Sequence, residues 1–358
     1  MRYILSIALL AAGPACAQES VSGFDLRATA AADAAYSGQL RQEPRSGAPA
    51  AAGFRIVAYP VWKLSRHWSV NGAVQLRSRP YFAEDFGTQG YGLKAEPLQA
   101  NLAFSQFWKG GSLVVRAGLL SSAFGSYLLH YDDSENFLID KPATYGYYGK
   151  GITTLGLAAV QADLTAGRWD LRAQLANSSP ANRRGPWDRD QYANWAGGAG
   201  YTIRQGLRAG ASIYRGPYLH RESPYYFPGE SAPVKLPATA FGFDGQWAQG
   251  HWTASGEWQR FIYTYHVIPT YRSHAGYGEV RRVLSPRWYV AARLGYTAST
   301  YSPPCQIDEF AAGYRVSAAS LVKLSYQMQR PSNLAGNAGD TLAIQFVYSL
   351  HLLTLGRN

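Results

Sequence analysis

The segment HWTASGEWQRF, residues 251–261, alternates between two kinds of side chain. One parity holds Trp252, Ala254, Gly256 and Trp258, and the other holds Thr253, Ser255, Glu257 and Gln259. Successive side chains of a β-strand point to opposite faces, so this period of two predicts a strand with one apolar and one polar face. Two indoles separated by small residues fill a protein core unevenly. The apolar face is therefore expected to contact something other than a core.

The same alternation recurs along the chain and predicts sixteen strands. They are 23–36, 52–63, 67–77, 96–108, 112–120, 152–164, 168–176, 191–203, 206–215, 238–248, 251–265, 271–283, 287–298, 306–316, 321–329 and 340–352. No amphipathic helix pattern interrupts them.

The connections between these strands alternate in length. Seven are short and rich in Gly, Pro or Ser: LSRH, KGGS, AGR, RQG, QG, SP and SAAS. The others are mostly longer: 37–51, 78–95, 121–151, 177–190, 216–237, 266–270, 299–305 and 330–339. An up-and-down meander with this alternation has all its short turns at one end. Transmembrane barrels have that asymmetry, with short periplasmic turns and long extracellular loops.

The N-terminus predicts export. Arg2 precedes an apolar run from Tyr3 to Ala12, and Ala15-Cys16-Ala17 resembles a cleavage site, so residues 1–17 are expected to be a secretory signal peptide. A lipoprotein anchor through Cys16 is the alternative.

Cleavage leaves a net charge of +10 and one cysteine, Cys305, which excludes an intramolecular disulfide. No later stretch has 18 consecutive apolar residues, so no transmembrane helix is predicted.

These features predict an all-β protein: a transmembrane antiparallel up-and-down β-barrel of about 16 strands, forming one domain over residues 18–358. Tyr and Trp number 26 and 10, and such amphipathic rings suit a membrane interface. A soluble β-sandwich explains the strands and turns but not the alternation of loop length. A barrel of sixteen strands leaves a wide aqueous lumen, and the charged polar faces require one.

The lumen-facing parity is expected to be rich in positive charge, which favours anions in a confined pore. In strand 11, Glu257 becomes one of the few acids in a largely basic channel. Trp252 is expected in an aromatic girdle beside the short turns, and the Tyr263–Tyr265 segment in the outer one. The basic residues expected to line the pore are Arg77, Arg116, Arg172, Arg208, Arg293, Arg315 and Lys323.

The longest connection, 121–151, is expected to fold into the barrel and narrow the pore, because it carries many aromatic and apolar residues. Asp132, Asp133 and Glu135 would then face the wall arginines and set up a transverse field. An acidic surface loop and a calcium site at 132–136 are the alternatives.

The mature chain resembles the sixteen-stranded porins of Gram-negative bacteria in its signal peptide, its alternating loop lengths, its long loop after strand 5 and its last strand, DTLAIQFVYSLHL at 340–352. The segments 114–129, VVRAGLLSSAFGSYLL, and 169–180, WDLRAQLANSSP, are similar to the phosphate-selective porin O/P group. That resemblance implies a homotrimer passing phosphate or other anions, with Arg116 among its contacts. The chain departs from the porin pattern by continuing to Asn358 beyond its last aromatic residue.

The predicted function is passive diffusion of small hydrophilic solutes, with anion preference, through the bacterial outer membrane. The expected partners are the lipid bilayer and those solutes, and not nucleic acid. No cofactor, metal or catalytic residue is predicted. A barrel enzyme such as a lipid hydrolase would need a nucleophile, a base and an orienting group on one face, and no such motif is evident. A binding or adhesion barrel, with loop 216–237 as its recognition surface, is the third alternative.

Overall fold

A computed structural model describes residues 22–38, 49–79, 81, 92–126, 132–142, 144–145, 156–177, 193–217, 228–229, 236–300, 302–330 and 340–356. The predicted signal peptide, 1–17, lies outside them. Sixteen strands are present: β1 Gly23–Ser37, β2 Ala50–Lys63, β3 Trp68–Arg79, β4 Gly92–Trp108, β5 Gly111–Leu120, β6 Leu157–Ala166, β7 Trp169–Ala176, β8 Asn194–Arg204, β9 Leu207–Pro217, β10 Pro237–Gln249, β11 Trp252–Tyr263, β12 Tyr271–Val283, β13 Trp288–Ser299, β14 Ser302–Arg315, β15 Ser320–Arg330 and β16 Thr341–Gly356.

Every strand pairs antiparallel with its sequence neighbours, and β1 pairs with β16 to close a barrel. In the closing pair Gly23 lies opposite Gly356 and Ser37 lies opposite Thr341. The residues beyond the last aromatic, which depart from the porin pattern, therefore extend the closing strand. Closure leaves no sheet edge, so the strand backbones find their hydrogen-bond partners within the sheet. The predicted all-β barrel is confirmed.

Seven short turns lie at one end of the barrel, at 64–67, 109–110, 167–168, 205–206, 250–251, 284–287 and 316–319. The opposite end carries the longer connections, with one exception. The connection between β13 and β14 was expected to span 299–305 and is only residues 300–301, because β14 begins at Ser302 despite Pro303 and Pro304. Pairing of Thr297 with Cys305 and of Ser299 with Ser302 produces a register shift there.

The outer face of the barrel is apolar. Trp252 and Trp258 of the opening segment point outward with 40% and 39% of their surface exposed, as their parity predicts. Outward rings stack across neighbouring strands beside the short turns, as in Trp68 on Phe104, Trp169 on Tyr201 and Trp288 on Tyr314. Such rings form the girdle expected at a membrane interface. No described helix is both long and apolar enough to cross a membrane.

Two β-bulges adjust which side chains reach the outer face. The register between β1 and β16 shifts by one residue at Leu352, and Leu353 and Leu355 beyond it are exposed on the outside. A second shift at Leu98 follows Pro97, which has no N–H to donate to the ladder, and buries Leu98 inside against Val57 and Ala73.

The inner face is not uniformly polar. Phe261 and Tyr263 of β11 point inward and pack with Tyr214 and Phe124 in a buried cluster. The expectation that Tyr263 belongs to an outer aromatic ring is therefore wrong, because it shares the parity of Glu257 rather than that of Trp258.

Gly118 in β5 lies so close to the backbone of β4 that a larger residue would not fit. Its φ is +137°, and a Cβ there would overlap the carbonyl oxygen of Ala100 on β4. We expect Gly118→Ala to lower the free energy of unfolding by about 1–3 kcal/mol, measured by urea titration of the barrel in detergent.

Gly278→Ala is the matched control, because a Cβ at Gly278 meets no atom within 4 Å. Equal stability of the two variants would contradict this account of Gly118.

Candidate functional site: the lumen and its inserted loop

The described parts of the long connection after β5 lie inside the barrel. Its first described part, residues 121–126, contacts the wall at β7, β9 and β11. The amide of Gln174 donates to the Ser121 carbonyl at 2.7 Å, and its oxygen accepts from the Ala123 N–H at 3.1 Å. Gly125 N–H donates to the Ser212 hydroxyl at 3.2 Å.

Glu257 holds the loop to β11. Its carboxylate accepts hydrogen bonds from the Tyr145 hydroxyl, from the backbone and hydroxyl of Ser126 at 3.3 Å, and from Gln259 at 2.7 Å. Only 4% of Glu257 is exposed. Glu257 therefore points inward, as its parity predicts, and residues 126 and 145 of the loop cover it.

The second part of the loop, residues 132–142, contacts the opposite wall. Asp133 pairs with Arg55 of β2 at 2.9 Å, and their side chains are 2% and 0% exposed. Lys323 of β15, fully buried, donates to the carbonyls of Asp133 at 2.6 Å and Leu138 at 3.3 Å.

Arg293 of β13 completes this contact. Its guanidinium donates to the Asp140 carbonyl at 2.7 Å and to the Asn136 side chain at 3.3 Å, and it pairs with Glu279 and Glu309. Glu309 in turn accepts from the N–H groups of Ile139 and Asp140. We call Arg55, Asp133, Arg293, Glu309 and Lys323 the anchored side of the lumen.

Apolar contacts reinforce the anchored side. Leu138 packs in a buried cluster with Tyr289, Ala311, Leu321 and Val347 of the wall. The Tyr289 hydroxyl donates to the Phe137 carbonyl at 3.1 Å. The aromatic and apolar residues of the loop are thus used to pack against the wall, which is the inward folding that the sequence predicts for its described part.

The acidic residues of the loop do not form an open transverse field. Asp133 is neutralised by Arg55, and Asp132 accepts from the Tyr59 hydroxyl and from the Ser134 N–H at 2.8 Å. Glu135 is exposed. Desolvation by the surrounding protein nevertheless raises the pKa of the Glu135 carboxyl, and the charge of Asp132 raises it further. The carboxylates of Asp132 and Asp133, which the calcium alternative would use, accept hydrogen bonds from protein donors. The described residues include no group of three potential metal ligands.

Across the lumen, β4 to β10 carry charges that remain accessible to water. Arg116 pairs with Asp163, and their side chains are 34% and 30% exposed. Arg208 bridges Asp170, at 2.6 Å, and Asp244. Lys94 of β4 pairs with Glu96 at 2.8 Å. We call Lys94, Arg116, Asp163, Asp170 and Arg208 the charged arc.

Three further arginines predicted to line the pore lie in different surroundings. Arg172 donates to the Gly125 carbonyl at 3.2 Å beside the charged arc. Arg77 is buried on β3 opposite Arg55. Arg315 is exposed at the end of β14, where it contacts the Ala318 carbonyl at 3.5 Å. The partners of the wall bases, such as Asp163, Glu279 and Glu309, were missed as site residues because sequence spacing does not show which strands face each other.

No protein family model matches the chain, and no curated protein matches it in sequence. Solved structures do match. OmpF of Salmonella typhi, in complex with daunomycin, superimposes with a TM-score of 0.63 at 10% identity, over 91% of this chain and 97% of that one. The anion-selective porin of Comamonas acidovorans gives 0.60 at 11% identity, over 92% and 100%.

This chain has the porin fold. A further match with that fold is the trimer form of OmpT, an outer membrane protein of Vibrio cholerae, with a TM-score of 0.58 at 11% identity, over 92% and 100% of the two chains. The predicted likeness to sixteen-stranded porins is thus confirmed for the fold.

Substitution of Arg55 and Asp133 tests how strongly their ion pair attaches the loop to the barrel wall. Removing one partner leaves an uncompensated buried charge, so Arg55→Leu and Asp133→Leu should each lower the free energy of unfolding by about 3–5 kcal/mol. The double variant should lose less than the sum, because it removes both charges. Urea titrations of the three variants measure this.

Arg27→Leu, which breaks an exposed pair with Asp25, is the control and should cost less than about 1 kcal/mol. Additive losses in the double variant would exclude coupling between Arg55 and Asp133.

Proposed function

We propose that the protein is an outer-membrane porin that passes small hydrophilic solutes by passive diffusion, with preference for anions. The observation that carries the proposal is a closed barrel with an apolar outside and water-exposed charges inside. A pore of this kind selects solutes by its width and by the charges on its wall.

The path for solutes is proposed to run along the charged arc. On the anchored side, ion pairs and apolar contacts fill the space between loop and wall, so the loop restricts the lumen from there. Arg116 and Asp163, in contrast, keep about a third of their side chains open to solvent. The loop 121–151 then acts as the constriction, with Arg172 and Arg208 beside the path.

Preference for anions rests on bases that form no ion pair among the described residues. The bases of the charged arc are paired, so their net field is small. At the turn end of the lumen, Arg281 and Arg315 face inward, and within the described ranges neither forms an ion pair with a carboxylate. Arg281 packs over the ring of Phe137, at the lower face of the loop. These two residues lower the energy of an anion at that mouth. Phosphate is the solute suggested by the resemblance of segments 114–129 and 169–180.

Export through the signal peptide 1–17, residence in the outer membrane and assembly as a homotrimer belong to the same proposal. The apolar outer face with its aromatic rings supports the membrane location. The trimer form of one matching structure supports the assembly.

A hydrolase is less well supported by the described histidines. His351 offers the arrangement nearest to a catalytic one, with Asp25 at 2.8 Å and Thr354 at 2.7 Å. Both contacts use the same imidazole nitrogen, Nε2, whereas a base oriented by an acid uses one nitrogen for each partner. A channel requires no such group.

The direct test is planar-bilayer recording of the purified full-length protein. We expect stepwise openings, and a reversal potential in a potassium chloride gradient that indicates preference for chloride. A barrel that inserts, as shown by protease protection, but never conducts would contradict the channel.

Arg116→Glu tests the location of the path. The substitution places a second carboxylate beside Asp163, so the ratio of chloride to potassium permeability should fall by about tenfold or more. Arg287→Glu makes the same change of charge in a turn, where the guanidinium lies near the outward-facing Tyr314, and should have a much smaller effect. An unchanged ratio in Arg116→Glu would remove the charged arc from the path.

A further inference from the structure

Three bases lie together on the outer, lipid-facing wall. Arg260 of β11 shares the outward parity of Trp258, and His274 of β12 lies directly opposite it in the ladder. Arg272 is two residues from His274 on the same face of β12, and all three are exposed. Opposite residues in an antiparallel pair are about 5 Å apart, and residues i and i+2 of a strand about 7 Å, so the three charges form one patch. We call it the outer basic patch.

The outer basic patch differs from the inner wall in its ion pairing. Among the described residues, no carboxylate forms an ion pair with Arg260, Arg272 or His274; His274 instead stacks on Tyr296 with ring centroids 5.7 Å apart. Arg116, Arg208 and Arg293 of the inner wall, in contrast, are each paired with an acid.

The depth of the patch places it at the level of the lipid headgroups. Arg260 is eight residues along β11 from Trp252, which corresponds to about 19 Å along the membrane normal at a strand tilt of ~45°. The apolar band of such barrels is about 25 Å tall, so the patch lies near its loop-side border. A basic residue costs little near that border, and its charge there can attract the phosphate of a lipid headgroup.

The surface next to the patch suits an acyl chain. Toward the turn end, Trp258 stacks on Phe243 with centroids 6.1 Å apart, and Leu294 is exposed. In the ladder Gly276 lies between Trp258 and Tyr296, and Gly278 lies between Gly256 and Leu294; the space above Gly278 is open. A positively charged end and an adjoining apolar furrow are complementary to a phosphate with a hydrocarbon tail.

We propose that this surface binds a phosphate-bearing lipid of the loop-side leaflet, with the phosphate at Arg260, Arg272 and His274 and an acyl chain along Trp258 and Gly278. The inference rests on the membrane location in the proposed function but not on conduction. The lipid would occupy the outside of the barrel and leave the lumen unchanged.

Native mass spectrometry of the full-length protein in detergent tests the proposal, with bisphosphorylated lipid A as the probe and the same lipid freed of phosphate as its control. We expect the phosphorylated probe to bind, and Arg260→Gln/Arg272→Gln/His274→Gln to weaken binding at least about tenfold. The matched variant His251→Gln/Arg282→Gln/Arg287→Gln removes the same charges at the turn end and should bind as the unchanged protein does.

Equal binding of the two lipids, or equal binding by the two triple variants, would overturn the proposal. An altered oligomeric state of the patch variant with unchanged lipid binding would also overturn it, and would assign the surface to a second copy of the chain. Single-channel conductance of the patch variant should be unchanged, which separates failure of this inference from failure of the channel. Resistance of the barrel to SDS before heating verifies that each variant is folded.

Discussion

The pairing of β1 with β16 is the constraint on which the rest of the structure depends. In hydrocarbon no water replaces a missing backbone partner, so an open sheet would expose a row of unpaired N–H and C=O groups. Closure removes that edge along fifteen register positions, from Gly23 opposite Gly356 to Ser37 opposite Thr341. Once the sheet is closed, successive side chains of each strand face the lipid and the lumen in turn. Each strand therefore needs an apolar face and a polar face.

Inside the barrel, the polar side chains need either water or hydrogen-bond partners, a requirement that the apolar outer face does not have. Polar side chains cannot be left both dry and unpaired, since burial of an unpaired charge is costly. The inserted loop resolves this on one side of the lumen, where its carbonyls and carboxylates meet Lys323, Arg293 and Arg55. On the other side the charges keep access to water and are partly neutralised by one another. The described parts of the loop thereby cover the bases of the anchored side, whereas Arg116 and Asp163 keep about a third of their side chains exposed.

Much of the barrel's architecture could be predicted from the sequence. Strand positions follow from period-two alternation and turn residues, and most predicted bounds lie within a few residues of the observed ones. The exception at β14 is instructive, because Pro303 and Pro304 signalled a loop although both are included in the strand. Proline is compatible with a strand where its missing N–H is not needed by a neighbour, as beside the register shift at Ser302. The wall contacts of residues 121–126 and 132–142 were also foreseeable, because a fully solvated loop would not need apolar side chains such as Phe124, Leu138 and Ile139.

The segment HWTASGEWQRF shows where sequence alone was sufficient and where it was not. Its parity determined that Trp252 and Trp258 face outward and that Glu257 faces inward, because side-chain direction in a strand is a local property. What Glu257 would meet was decided only by the tertiary structure, in which Tyr145 and Ser126 cover it. The same holds for every base of the inner wall, whose charge is visible in the sequence. Whether that charge is free, paired or sealed depends on residues far away in the chain, which the register of the barrel and the path of one loop bring together.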